Sequence, residues 1–211
     1  MTTRRTPRDG LLAVVVDQGP RSPSGLRLFG RPLVAHALES LQAVPGLSVV
    51  AVGSRAGAHS GCPTVAAEEP WRPLATAGLV VHDPLCPLLP SSAVLECLAL
   101  AGPGTTVVGL RPVTDTIKEV HGGQVVGTVD RDRLAALTSP VVVGRDLLDG
   151  LAERFPTAGD LSDLTAVVEH LAAVGPVHEV QVPSLARRVS DRDDIALLEC
   201  LHGLRRTLRE R

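Results

Sequence analysis

The residues best placed to do chemistry lie where apolar runs break. GLVVHD (78–83) is a short apolar run that ends in His82 and Asp83 before a proline. An acid at the end of a parallel strand sits where open α/β sheets gather their ligands, so Asp83 is a candidate ligand contact. Capping a following turn or helix is its other available role. His82, one residue earlier, alternates to the opposite strand face and reads as structural rather than as a base. Cys62, Cys86, Cys97 and Cys200 form no CxxC pair and no metal-ligand spacing, which points to reduced, mostly structural thiols. Cys86 reads as a small buried residue, since nothing pairs it with a histidine. Lys118 is the one lysine among 21 basic side chains and lies in PVTDTIKEV (112–120), just before His121-Gly122-Gly123.

Those residues must be positioned by an ordinary globule. The chain has 211 residues, 44% hydrophobic and 21% charged, enough for one domain with a core. A net charge of −2 suggests neither a nucleic-acid nor a membrane-surface binder. No apolar run reaches the roughly 18 residues of a spanning helix, and LLAVVV (11–16) is too short for a signal-peptide core. The expectation is a cytoplasmic protein with one domain over 11–211 and a flexible segment at 1–10.

LLAVVV reads as a buried strand followed by the turn-rich loop DQGPRSPSG, then an amphipathic helix over 32–44 and a second strand over 47–53. This order predicts a parallel sheet with a ligand crevice beyond the strand ends. Further strands are expected at 78–83, 105–110, 139–143 and 177–183. Helices are expected at 91–101 with a serine cap, after 144, at 161–175 capped by Ser162 or Asp163, and at 191–210. The flanks of His121-Gly122-Gly123 are β-prone, and the Gly pair suits a primed hairpin turn. A lone hairpin is marginally stable in water, so this one should dock on another surface.

Several motifs, in order, resemble the 2-C-methyl-D-erythritol 4-phosphate cytidylyltransferases of the non-mevalonate isoprenoid pathway. They are LFGRPLVAHALESL (28–41), HDPLCP (82–87), PVTDTIK (112–118), TVDRDRLAALTSP (128–140), SDLT (162–165) and ARRVSDRDDIALLE (186–199). The resemblance implies a three-layer α/β sandwich with a mixed, mostly parallel twisted sheet, a Rossmann-like nucleotidyltransferase fold. It also implies a protruding β-hairpin arm at about 112–134 that reaches across a homodimer into the neighbour's pocket. The implied reaction joins CTP, with Mg2+, to a sugar-alcohol phosphate and releases pyrophosphate.

Carried over residue by residue, the resemblance puts Asp83, Thr116, Arg131, Thr138 and Ser162 on the sugar-phosphate substrate. Asp83 is also the expected metal contact. Gln18, Gly19 and Pro84 would meet the nucleotide, and Arg21, Arg27 and Arg188 would supply the catalytic cations. The chain departs from the family in three places. The glycine-rich loop reads VDQGPRSPSGLRL (16–28), with Asp17 where phosphates would lie and no lysine. The serine-bearing segment before the HD strand is replaced by AAEEPWRPLATAG (66–78), and Cys86 stands where the family has an arginine. These departures leave a second reading open: a catalytically inactive relative that kept the sugar-phosphate pocket and the arm but lost CTP binding. A transferase for another nucleotide or alcohol phosphate is a third.

Overall fold

The computed structural model describes residues 10–17, 26–53 and 61–209, the last five without their side chains. Strand β1 (Leu11–Val16) leads to a small hairpin, β2 (Arg27–Leu28) and β3 (Arg31–Pro32), and to helix α1 (Leu33–Gln42). Next come β4 (Ser48–Val52), β5 (Thr64–Val65), β6 (Gly78–His82), α2 (Ser91–Leu100) and β7 (Thr106–Pro112). A second hairpin, β8 (Ile117–His121) and β9 (Gln124–Val129), precedes β10 (Ala135–Gly144). Helices α3 (Leu148–Arg154) and α4 (Leu164–Val174), strand β11 (Val177–Gln181) and helix α5 (Arg192–Arg209) close the chain.

Seven strands form one sheet in the order β11-β7-β10-β6-β1-β4-β5. Every neighbouring pair is parallel except those of β10, which runs antiparallel to both β6 and β7. The sheet is thus mixed and mostly parallel. The β-α-β start of the chain predicts a parallel sheet and carries no sign of β10. Its reversal follows from the excursion that leaves β7, runs through the β8–β9 hairpin and returns alongside.

All six residues of β1 are buried, because side chains alternate into cores on both faces. Leu11, Ala13 and Val15 meet Ala37, Leu38 and Leu41 of α1 and Val94 and Cys97 of α2. Leu12, Val14 and Val16 meet Leu148 and Leu151 of α3 and Val167 and Leu171 of α4. Helices on both faces make three layers. A smaller cluster joins Leu28 and Leu33 to Leu85, Val189, Ile195 and Leu198, seating α5 beside the sheet.

Two helix starts differ from the expected pattern or resolve it. Pro90, not a serine, occupies the cap of α2, and Ser91 is its first residue with no side-chain cap bond; proline's fixed φ favours this boundary. Of the two cap candidates for α4, Asp163 does the capping, accepting from the Ala166 N–H at 3.1 Å. The Gly122-Gly123 turn has φ of 56° and 79°, the primed geometry that needs glycine-like freedom at both positions. Cys62, Cys86 and Cys97 are buried and Cys200 is exposed; all four are free thiols.

Candidate functional site

The strand ends set up the site. Asp83 follows β6 directly, and the carboxyl ends of β1, β4 and β7 lie on the same edge of the sheet. The Asp83 N–H donates to Ser139 Oγ at 2.8 Å, which ties the end of β6 to β10. There β10 breaks register between Leu137 and Val141, and Gly109 of β7 makes room for it. A Cβ on Gly109 would come within 2.6 Å of the Ser139 carbonyl oxygen, so no larger residue fits.

Asp83 uses both carboxylate oxygens. Oδ1 accepts the Leu85 N–H at 2.9 Å, an Asx-type turn. Oδ2 accepts Arg188 Nε at 2.7 Å, across 105 residues of chain. The pair is lopsided: the Asp83 side chain is 15% exposed and that of Arg188 is 47% exposed. With Thr138, Ser162, Asp163 and Thr165 the pair lines a pocket of about 390 Å³. Four residues assigned from sequence to substrate or catalysis, Asp83, Thr138, Ser162 and Arg188, therefore meet in one place. Thr138 is buried and donates its hydroxyl to the Gly109 carbonyl at 3.1 Å. With that hydrogen engaged, it is poised to accept from a ligand hydroxyl rather than donate to a phosphate.

A second pocket, about 800 Å³, adjoins the first through Ser162. Asp17 at the end of β1, Gly53 at the end of β4, the 64–68 segment and Gly159 form its wall. Its charged residues, Asp17 and Glu68, are both acidic, and its described lining has no basic side chain.

Arg27, Pro84, Thr116 and Arg131 line neither pocket. Arg27, on β2, donates to the Gly30 carbonyl at 2.7 Å and lines a separate hollow with Arg192 and Glu199. Pro84 is buried in the turn after Asp83. Gln18, Gly19 and Arg21 lie outside the described residues. The arm's Thr116 and Arg131 lie just outside its two strands. Thr116 precedes β8, and Arg131 opens a 3-10 turn after β9. Both are exposed at the arm's root, where Arg131 Nη1 donates to the Thr114 carbonyl at 2.6 Å. Lys118 donates to Thr128 Oγ1 at 2.7 Å, a cross-strand hydrogen bond rather than a salt bridge.

Two pocket residues, Asp163 and Thr165, escape the sequence reading as site residues, and so does Ser139, which accepts the Asp83 N–H without lining the pocket. Asp163 was legible only as a cap, because nothing local says that the start of α4 faces a pocket. His82 is 1% exposed, and neither ring nitrogen has a hydrogen-bond partner among the described residues. Burial pushes its pKa down to about 4, with the Asp83 carboxylate pulling the other way. Burial likewise pushes the Cys86 thiol up to about 12, so it is no nucleophile. Among the described residues no three His, Cys, Asp or Glu side chains cluster to hold a metal, and no helix is long and apolar enough to cross a membrane.

Comparisons with known proteins agree on one family. The family model described as "IspD: 2-C-methyl-D-erythritol 4-phosphate cytidylyltransferase" matches residues 72–203. The chain is 30% identical over 129 residues to the 2-C-methyl-D-erythritol 4-phosphate cytidylyltransferase of Prochlorococcus marinus strain MIT 9313, covering 60% of this chain and 56% of that one. It is equally identical over 129 residues to the bifunctional enzyme IspD/IspF of Nitratidesulfovibrio vulgaris strain DP4, covering 60% of this chain and 32% of that one. The chain thus spans about a third of the bifunctional relatives it matches. The crystal structure of 2-C-methyl-D-erythritol 4-phosphate cytidylyltransferase from Thermus thermophilus superposes with a TM-score of 0.70 at 19% identity, over 90% of this chain and 98% of that one. At that identity the likeness shows the fold.

Proposed function

Because the chain belongs to the 2-C-methyl-D-erythritol 4-phosphate cytidylyltransferase family, we propose that it joins CTP to 2-C-methyl-D-erythritol 4-phosphate. The observation that carries this reading is the convergence of Asp83, Thr138, Ser162 and Arg188 on one pocket that opens into a second, larger one. The smaller pocket would hold the sugar-alcohol phosphate and the larger one the nucleotide. An oxygen of the acceptor phosphate attacks the α-phosphorus of CTP, the bond to the β-phosphate oxygen breaks, and pyrophosphate leaves with that electron pair.

Catalysis of this kind is mostly positioning and charge neutralisation. Arg188 would turn its free guanidinium N–H groups to the acceptor phosphate while Asp83 holds its Nε. Thr138 would accept from a substrate hydroxyl. Ser162, shared by both pockets, would sit where the two substrates meet. Magnesium, when bound with the triphosphate, would supply neutralisation of phosphate charge. Asp83 is the carboxylate offered to it, since each of its oxygens keeps an acceptor position beyond the bond it already makes. Thr116 and Arg131 stand at the root of an exposed arm and would serve the pocket of a second copy, in the arrangement the resemblance implies. Purified protein given CTP, magnesium and methylerythritol phosphate should release pyrophosphate. No release above blank with any of several nucleoside triphosphates would reject the proposal.

One observation favours the inactive-relative reading. The larger pocket presents Asp17 and Glu68 and no described cation to a tetra-anionic nucleotide. Calorimetry separates the two: micromolar CTP binding in magnesium supports the enzyme, and binding of the alcohol phosphate without CTP binding supports the relative.

A further inference from the structure

Arg188 lies in a short loop between the 3-10 turn Ser184–Ala186 and helix α5. Its neighbours are fixed on two sides. Val189 is fully buried among Leu85, Leu185, Ile195 and Leu198, and its N–H donates to the Leu85 carbonyl at 2.7 Å. That bond stitches the loop to the turn that Asp83 begins. On the other side stands Asp194, in the first turn of α5. Its Oδ2 accepts the Ser190 N–H at 2.8 Å, and its Oδ1 pairs with Arg187 Nη1 at 3.4 Å. One carboxylate thus grips the chain both before and after Arg188.

The surrounding charges add to that grip. Arg111, half-buried at the end of β7, makes no ion pair or hydrogen bond of its own among the described residues, and the like charge of Arg187 stands near it. Burial first, and Arg187 second, disfavour the charge on Arg111. Asp194 is attractive to both guanidinium groups. Without its charge, the repulsion between Arg187 and Arg111 would lose an offsetting neighbour.

We propose that Asp194 is a positioning residue for Arg188: it clamps Arg187 and Ser190 so that the intervening guanidinium is presented to Asp83 and to the pocket's anionic substrate. The inference rests on Arg188 serving the reaction proposed above, yet its first test needs no turnover. The Arg188 Nε–H resonance of the whole protein, assigned by its loss in Arg188→Lys, should exchange slowly with water. In Asp194→Asn it should exchange about tenfold faster, the size of effect typical of coupled neighbours. In turnover, Asp194→Asn should raise KM for the alcohol phosphate about tenfold and leave KM for CTP unchanged. In an Arg188→Ala background the same change should add nothing. If Asp194→Asn fails to fold, Arg187→Gln keeps the Ser190 bond and should loosen the same resonance by a smaller factor. An Arg188 resonance unmoved in whichever variant folds overturns the inference, as does an equal loss of activity in the Arg188→Ala background. Should the protein show no turnover at all, the activity proposal falls while the resonance still decides this one.

Discussion

Asp83 illustrates how much one carboxylate is asked to do. It shapes its own turn through Leu85, holds Arg188, and receives support from Ser139 through its backbone N–H. The Arg188 side is half in water, so the ion pair contributes about 1 kcal/mol or less to stability. Its worth lies in placement. Asp83→Asn should therefore lower kcat/KM by about 100-fold or more, while the urea midpoint moves little. Its neighbour behaves in the opposite way. His82 is neutral when folded, with its pKa held down to about 4 from 6.5. Below about pH 6.5 the unfolded chain takes up a proton that the folded one refuses until about pH 4, so stability falls as pH drops through that window. Urea midpoints at pH 7 and pH 4.5 should show this fall. His82→Leu should flatten it, since the titrating ring is gone. The sequence marks Asp83 as a candidate ligand contact and reads His82 as structural. It does not show Ser139, whose role depends on β10 returning beside β6.

Among the elements, the β8–β9 hairpin is the least self-sufficient. It forms a two-stranded sheet of its own, and Val120, Val125 and Val126 are 58%, 65% and 59% exposed. Val120 pairs with Val125 across the strands, on the same face as Lys118 and Thr128. This apolar face is where a second copy would bind. Val120→Asp with Val125→Asp should give monomers by analytical ultracentrifugation with an unchanged far-UV spectrum. An unaltered sedimentation coefficient would argue against the arm as a dimer contact. Helix α4 offers a separate test, because Asp163 both caps it and lines the smaller pocket. Asp163→Ala should cost about 1 kcal/mol of stability, the usual value of a lost cap, read from the shift in thermal midpoint. The hairpin, its turn and the principal helices were legible from short-range signals: Gly-Gly between β-prone flanks, and apolar spacing at helical period. The two-residue strands β2, β3 and β5 were not, since two residues carry no period.

At the scale of the molecule, the fold sets two pockets side by side at the carboxyl edge of a sheet, with different charge. The smaller has one cation, Arg188, beside the carboxylates Asp83 and Asp163; the larger has two carboxylates and no described cation. The Asp17 and Glu68 carboxylates repel a nucleotide's phosphates unless a metal accompanies it. CTP affinity measured by calorimetry should fall at least about tenfold when magnesium is chelated, whereas alcohol-phosphate affinity should hold. The sequence alone determined the longer strands and the principal helices, that the fold is α/β, and that Asp83 stands at the end of a buried apolar run. These follow from local periodicity and from ordered motifs. Only the tertiary structure decided that β10 runs antiparallel, that Arg188 reaches Asp83 across the chain, and that Arg27 does not join them. A contact between residues a hundred positions apart is set by how the layers pack, and no window of sequence short enough to read contains both partners.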